Sequence, residues 1–243
     1  MTNIALTIGM AVYGQPEMLR VWFDRFQAAG GPRDDVEVIV VDDCGDPPAT
    51  PPVLPNVRAL RITIDHPWNQ MEARNLAATE ARGRVLLLLD PDMTLPPKSL
   101  AEYVHVAKAM NPLSVQRPLL RHGDGTLDNH SPNVFLIHRA DFLAVSGYDT
   151  RFRGAKGYSD CLLKDVLSKL YRQRHAGGLV LDFHHNKLIP DAQVTKLSRD
   201  YSRNRKLYHD LLPRLRKMGV DAFLREHPPM VDSPWEEVRC PTG

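Results

Sequence analysis

A chain of 243 residues with 43% hydrophobic and 25% charged residues carries enough apolar material for one substantial core, and its net charge of +2 points to no particular partner. No apolar run is long enough to span a bilayer. The start Met1-Thr2-Asn3 ahead of Ile4-Ala5-Leu6 lacks the charged, apolar and small-residue order of a secretory signal, so a cytoplasmic location is expected. Cys44, Cys161 and Cys240, odd in number and far apart, indicate neither a disulfide framework nor a CxxC zinc site.

In chain order, residues 4–12 read as a strand. Residues 16–29 read as a helix with Met18, Leu19, Trp22, Phe23 and Phe26 at helical spacing before the stop Gly30-Gly31. Residues 36–41 form a second buried strand ending in Asp42-Asp43, residues 57–64 a third, and residues 70–82 a helix closed by Gly83. The strand over 85–89 follows. This β-α-β-β-α-β order predicts a mostly parallel open sheet with the site along one edge. Further on, residues 100–110 read as helix, 113–120 and 133–137 as strands, 139–145 and 161–171 as helices, 179–183 as the last strand and 197–218 as the last helix. An apolar stripe of Leu197, Tyr201, Leu207, Leu211, Leu215 and Met218 marks that final helix. Its other face is basic, with Arg199, Arg203, Arg205, Lys206, Arg214, Arg216 and Lys217 against Asp200 and Asp210, so the 198–218 segment is a candidate polyanion contact.

The densest signal is Val85-Leu86-Leu87-Leu88-Leu89-Asp90-Pro91-Asp92. A continuous apolar run is a strand covered on both faces, and ligands gather at the carboxyl ends of such strands. Two carboxylates one residue apart at that place suit a hard cation, Mn²⁺ or Mg²⁺, that also holds phosphate oxygens. The bland alternative is a turn leading into the helix near Pro96.

Five motifs in order resemble the nucleotide-sugar-dependent glycosyltransferases of the GT-A fold, in particular the large inverting family 2. They are Met10-Ala11-Val12-Tyr13-Gly14, Val40-Val41-Asp42-Asp43, Glu72-Ala73-Arg74-Asn75-Leu76-Ala77, Leu89-Asp90-Pro91-Asp92-Met93, and Ser146-Gly147-Tyr148-Asp149 through Arg153-Gly154 to Gly157-Tyr158-Ser159-Asp160. The resemblance implies an α/β GT-A fold with a C-terminal helical extension. It divides the chain into a nucleotide-binding half over about 1–95, an acceptor-binding half over about 96–190 and a tail over 191–243 packed on the same domain.

The same resemblance implies that Ala11, Tyr13, Asp43, Arg74, Asp90 and Pro91 bind the nucleotide sugar, with a UDP-sugar as first choice. Tyr13 would stack on the base and Asp43 would accept a base N–H, with Asp42 a turn-former in the alternative. Arg74 either reaches the nucleotide or lies on a solvated helix face, and Asn75 caps or braces. Asp90 falls on the ribose side and Asp92 on the metal. His185, in Leu181-Asp182-Phe183-His184-His185-Asn186, matches a late metal-ligand position better than His184 does. Asp160 is the candidate catalytic base, since inversion requires a carboxylate to take the acceptor's proton. Family members commonly have Glu-Asp where this chain has Ser159-Asp160, and an N-cap role for Asp160 is the structural alternative.

Three other readings compete. Leu88 to Thr94 also resembles the Asp-x-Asp-x-Thr element of haloacid-dehalogenase-type phosphatases, with Gly123-Asp124-Gly125-Thr126-Leu127-Asp128 as a late acidic motif, although too few residues separate the two. A non-catalytic polyanion-binding module is the second, and a transferase acting on a hydroxylated DNA base is the third. The acceptor is otherwise open among sugars and lipid-linked sugars. Trp68, Asn69, Gln70 and residues 117–133 are expected to shape the pockets.

Overall fold

β1 (Leu6–Val12) lies at the heart of an open sheet in the computed structural model, which describes residues 3–128, 133–184 and 197–238. It pairs in parallel with β2 (Val36–Asp43) on one side and β4 (Val85–Leu89) on the other, and β3 (Val57–Ile62) continues the parallel ladder beyond β2. Beyond β4 the sheet is mixed. β8 (Phe135–His138) runs antiparallel to β4, β6 (Ser114–Arg121) antiparallel to β8, and the long β9 (Arg172–Phe183) parallel to β6. Short β5 (Met93–Thr94) pairs antiparallel with the end of β9, and β7 (Leu127–Asp128) with β6. β10 (Trp235–Val238) closes the far edge against β3. The parallel character expected from the β/α alternation thus belongs to β1–β4, with α1 (Pro16–Ala28) crossing from β1 to β2, α2 (Gln70–Glu80) from β3 to β4, and a loop from β2 to β3.

Side-chain alternation explains the unbroken apolar runs. In β4, Val85, Leu87 and Leu89 enter a core shared with α1 and α3 (Leu100–Ala109), while Leu86 and Leu88 enter a second core under α2, α4 (Arg139–Ala144) and α5 (Ser159–Leu170). All five strand residues are fully buried, which a strand covered on both faces requires. α2 is buried from Met71 to Ala78, and its alanines at 73, 77 and 78 let it sit close to the sheet. The indole Nε1 of Trp22 on α1 donates to the Met93 carbonyl at 2.9 Å, fixing the chain just after Asp92.

The C-terminal region departs from the sequence-based expectation. The predicted strand over 179–183 is the second half of β9 and is followed by β10, so it is not the last. The final long helix, α6 (Ser202–Met218), starts later than residue 197, and α7 (Val220–Leu224) follows it. Leu211 and Leu215 are buried against α5, whereas Tyr201 and Met218 at the ends of the stripe are exposed. Three of the basic side chains are held within the chain: Lys206 pairs with Asp210, Arg214 with Glu226, and Arg203 donates to the Arg153 carbonyl. After α7 the chain returns over α2. Glu72, wholly buried, accepts the backbone N–H groups of Asp232 and Ser233, the Ser233 hydroxyl and Arg153 Nη1, at 2.6–2.9 Å. No helix among the described residues is long and apolar enough to cross a membrane.

Candidate functional site

Parallel pairing brings the carboxyl ends of β1, β2 and β4 to one edge, as the registers Val12 with Asp42 and Met10 with Leu89 show. Two loops leave that edge in close contact. A Cβ added to Gly45 would stand 2.3 Å from the Gly14 backbone nitrogen, so only glycine lets the turn after β2 press against the turn after β1. One cavity opens above them. Its walls include Ala11, Tyr13, Asp43, Arg74, Asp90, Pro91, Asp92 and Asp160, all eight of the expected nucleotide-binding, metal and catalytic positions that fall among the described residues. His185, the expected second metal ligand, lies outside the described residues.

The two acids ending β2 separate in role. Asp42 is ion-paired with Arg61 and accepts the Gly45 N–H at 3.0 Å, so it shapes the turn. Burial raises its pKa to about 6 despite those partners. Asp43 faces the cavity, accepts a hydrogen bond from Asn69 Nδ2 at 3.2 Å, and is pushed up to about 8, chiefly by burial. Tyr13 stands opposite at the cavity wall, half-buried, with its hydroxyl donating to Asp65 at 3.2 Å. Burial and then the Asp65 charge push its pKa to about 12. The phenol therefore stays neutral.

Arg74 is 2% exposed and donates to Asp90 Oδ1 at 2.6 Å and to the Tyr148 hydroxyl at 3.0 Å, which rules out the solvated-face reading. Asp90 also accepts from Gln70 and, at 2.9 Å, from Asn133 Nδ2. Asn75 braces: its amide donates to the carbonyls of Tyr148 and Met230 and its oxygen accepts the Tyr148 N–H, each at 2.8–2.9 Å.

Asp92 is different. It is 7% exposed, and its Oδ1 is buried with no hydrogen-bond partner. Burial, reinforced by the neighbouring Asp90 charge, raises its pKa to about 7. An orphaned carboxylate oxygen at a cavity wall, beside a second carboxylate, fits a divalent cation, which would supply the missing partner. Among the described residues no three His, Cys, Asp or Glu side chains converge as a ready-made metal cluster. His184 turns away: its backbone N–H meets the Asp92 carbonyl at 2.9 Å and its Nε2 lies 2.8 Å from Thr94 Oγ1.

Asp160 occupies the first turn of α5 and lines the same cavity. The residue capping that helix is Tyr158, in the left-handed region at φ +69°, so Asp160 is not the N-cap. The other acids nearby are engaged elsewhere. Asp149 is wholly buried and holds Arg151 in a bidentate pair, and Asp165 accepts the Tyr208 hydroxyl at 2.7 Å. Asp124 sits in an exposed turn, bonded to Thr126, away from the cavity, which leaves the phosphatase reading without its late acid. Lys156, Leu197 and Arg199, not foreseen as site residues, also line the cavity. Trp68 and Gln70, expected to shape the pockets, do so, while Asn69 acts from below by holding Asp43.

A family model for Glycosyl transferase family 2 matches residues 7–163. The chain is 38% identical over 76 residues to the succinoglycan biosynthesis protein ExoO of Rhizobium meliloti (strain 1021), a match taking in 30% of this chain and 22% of that protein's length. Among solved structures, S. aureus TarS 1-349 superposes with a TM-score of 0.59 at 12% identity, covering 88% of this chain and 72% of that one. The mannosyltransferase PcManGT from Pyrobaculum calidifontis, in complex with GDP-Man and Mn²⁺, superposes with a TM-score of 0.58 at 14% identity, covering 94% and 67%. At such identities the structural likeness shows the fold, while the sequence match over the site-bearing strands and α2 assigns the chain: it belongs to glycosyl transferase family 2.

Proposed function

We propose that this protein moves a sugar from a nucleotide-diphosphate donor, a UDP-sugar first, to an acceptor hydroxyl with inversion at the anomeric carbon. The observation that carries this reading is a single cavity whose walls include Tyr13, Asp43, Asp90, Asp92 and Asp160. Tyr13 stacks on the base, and Asp43 accepts its ring N–H. The Arg74–Asp90 pair presents a fixed carboxylate edge to the ribose. Asp92 would hold Mn²⁺ or Mg²⁺, which when bound would neutralise the donor's diphosphate and favour its departure.

Asp160 takes the proton of the acceptor hydroxyl as that oxygen bonds to the anomeric carbon. The bond from that carbon to the diphosphate oxygen breaks, and its electron pair leaves with the nucleotide diphosphate. Support for the donor class comes from the relatives: TarS 1-349 was solved with UDP-GlcNAc and PcManGT with GDP-Man and Mn²⁺. That ExoO is a succinoglycan biosynthesis protein favours a saccharide acceptor over a DNA base. The pairing of Lys206 with Asp210 and of Arg214 with Glu226 reduces the free charge a polyanion would meet.

The deciding experiment is a thermal-shift screen of UDP, GDP and their sugars with and without Mn²⁺, followed by transfer assays with saccharide, lipid-linked saccharide and hydroxymethylated DNA acceptors. A ligand that binds only the native state raises the unfolding temperature. A protein unmoved by every nucleotide tested would sink the reading.

A further inference from the structure

Residues 152–158, the loop that delivers Asp160, follow an improbable path. Gly154, Gly157 and Tyr158 all have positive φ, at +95°, +82° and +69°. These reversals turn the carbonyls of Phe152, Ala155 and Gly157 toward one point. There Asn204 Nδ2 donates to all three, at 2.8, 2.6 and 3.1 Å. Asn204 belongs to the first turn of α6, a stretch otherwise polar and exposed, yet it is 0% exposed itself. An amide has only two N–H bonds, so three acceptors share them, and the sharing works only while all three carbonyls hold position.

Independent contacts converge on the same loop. Arg203 donates to the Arg153 carbonyl, and the Gly154 N–H donates to the Pro67 carbonyl at 2.8 Å. Lys156 Nζ lies 5.4 Å from the ring centroids of both Trp68 and Tyr201, a cation between two aromatic faces. A Cβ on Gly157 would come within 3.1 Å of the Tyr201 ring. Trp68 Nε1 in turn donates to the Ser198 carbonyl at 2.6 Å. The loop is therefore gripped between the turn at 67–68 and the start of α6.

We propose that Asn204 is a positioning residue for the transfer reaction: through the three carbonyls it fixes residues 152–158 so that the Asp160 carboxylate stays aimed into the cavity. This rests on the reading of Asp160 as the base. It places part of the catalytic apparatus in α6, beyond the residue 163 at which the family match ends. A displacement of about 1 Å in a catalytic group costs on the order of 10²-fold in rate, so a loop that needs three left-handed residues gains directly from being pinned.

The test uses the full chain and three variants: Asn204→Ala, Arg203→Ala and Asp160→Asn. Asn204→Ala is expected to lower turnover about 10–10²-fold while Mn²⁺-dependent UDP affinity and the donor's KM change less than twofold, because Tyr13, Asp43, Asp90 and Asp92 lie at the ends of β1, β2 and β4, outside the clamped loop. Backbone amide exchange should quicken at residues 153–160 and stay unchanged in β2 and β4. Arg203→Ala, at an exposed position, should show the same pattern more weakly, and it decides the matter if Asn204→Ala fails to fold. A folded Asn204→Ala that turns over normally, while Asp160→Asn is inactive, overturns the clamp. Loss of UDP affinity in step with turnover overturns it as well. If Asp160→Asn itself is active, it is the assignment of the base that has failed.

Discussion

Arg74 Nη2 and Asp90 Oδ1 meet at 2.6 Å across the cavity floor, and that pairing leaves Asp92, two residues on, as the carboxylate with an unpartnered oxygen. One acid is held by an arginine, a glutamine and an asparagine; the other keeps a buried oxygen without a hydrogen-bond partner. The surrounding side chains make two neighbouring carboxylates physically different.

Removing the arginine should expose that dependence. Arg74 is buried, so Arg74→Ala strands Asp90 without its charge partner, and breaking a buried pair costs about 3–5 kcal/mol. Discounting for the partial exposure of Asp90, we expect about 2–3 kcal/mol, read as a lower urea midpoint with an unchanged m-value. A loss below about 0.5 kcal/mol would mean that the pair contributes nothing measurable.

Asp92→Asn should separate metal from nucleotide. In the native protein, UDP at about 100 times its dissociation constant with Mn²⁺ present stabilises the fold by about 2.7 kcal/mol, and chelation removes the effect. In the variant, thermal shifts with and without Mn²⁺ should coincide. Nucleotide binding that is indifferent to chelator in the native protein would remove the metal role from Asp92.

Asp160→Asn should keep UDP affinity and lose about 10²–10⁴-fold in turnover, the usual contribution of a positioned base. Initial rates beside calorimetric binding make the comparison. Normal turnover would take Asp160 out of the mechanism.

Asp43 predicts a pH dependence. Its pKa in the folded protein, about 8, lies above the ordinary carboxylate value, so the fold favours its neutral form and loses that contribution as pH rises through 8. The ionised form accepts a base N–H more strongly, through a charge-assisted bond. UDP binding should therefore tighten from pH 6 to pH 8.5, and in Asp43→Asn the part of this rise centred near pH 8 should be lost, leaving any part that comes from Asp92 near pH 7. A flat profile in the native protein would show that Asp43 does not contact the base.

The returning C-terminal segment should matter for stability more than for chemistry. Glu72→Ala leaves two buried backbone N–H groups and Ser233 without their acceptor and Arg153 without one of its carboxylates, with an expected cost of about 3 kcal/mol or more in urea unfolding. UDP affinity, measured well below the unfolding temperature, should remain.

How far the residues speak for themselves is clear from particular elements. The apolar run from Val85 through Leu89 announces a strand covered on both faces, and the order of acids at strand ends locates the site, because local patterning and backbone direction alone place those groups at the sheet's carboxyl edge. Alternation alone does not separate Asp42 from Asp43, though the family resemblance favours the second. Only Arg61, arriving from β3, takes one of them out of the cavity. The burial of Glu72 and the pairing of β10 with β3 depend on a segment some 160 residues further along the chain, a separation at which no periodicity carries information. Asn204 reads as one more polar residue on a basic helix, and only the packing of α6 against the 152–158 loop gives its amide three carbonyls to hold. Sequence determines which groups each element carries; contacts between distant elements decide which of those groups are neutralised, which are held, and which are left free to act.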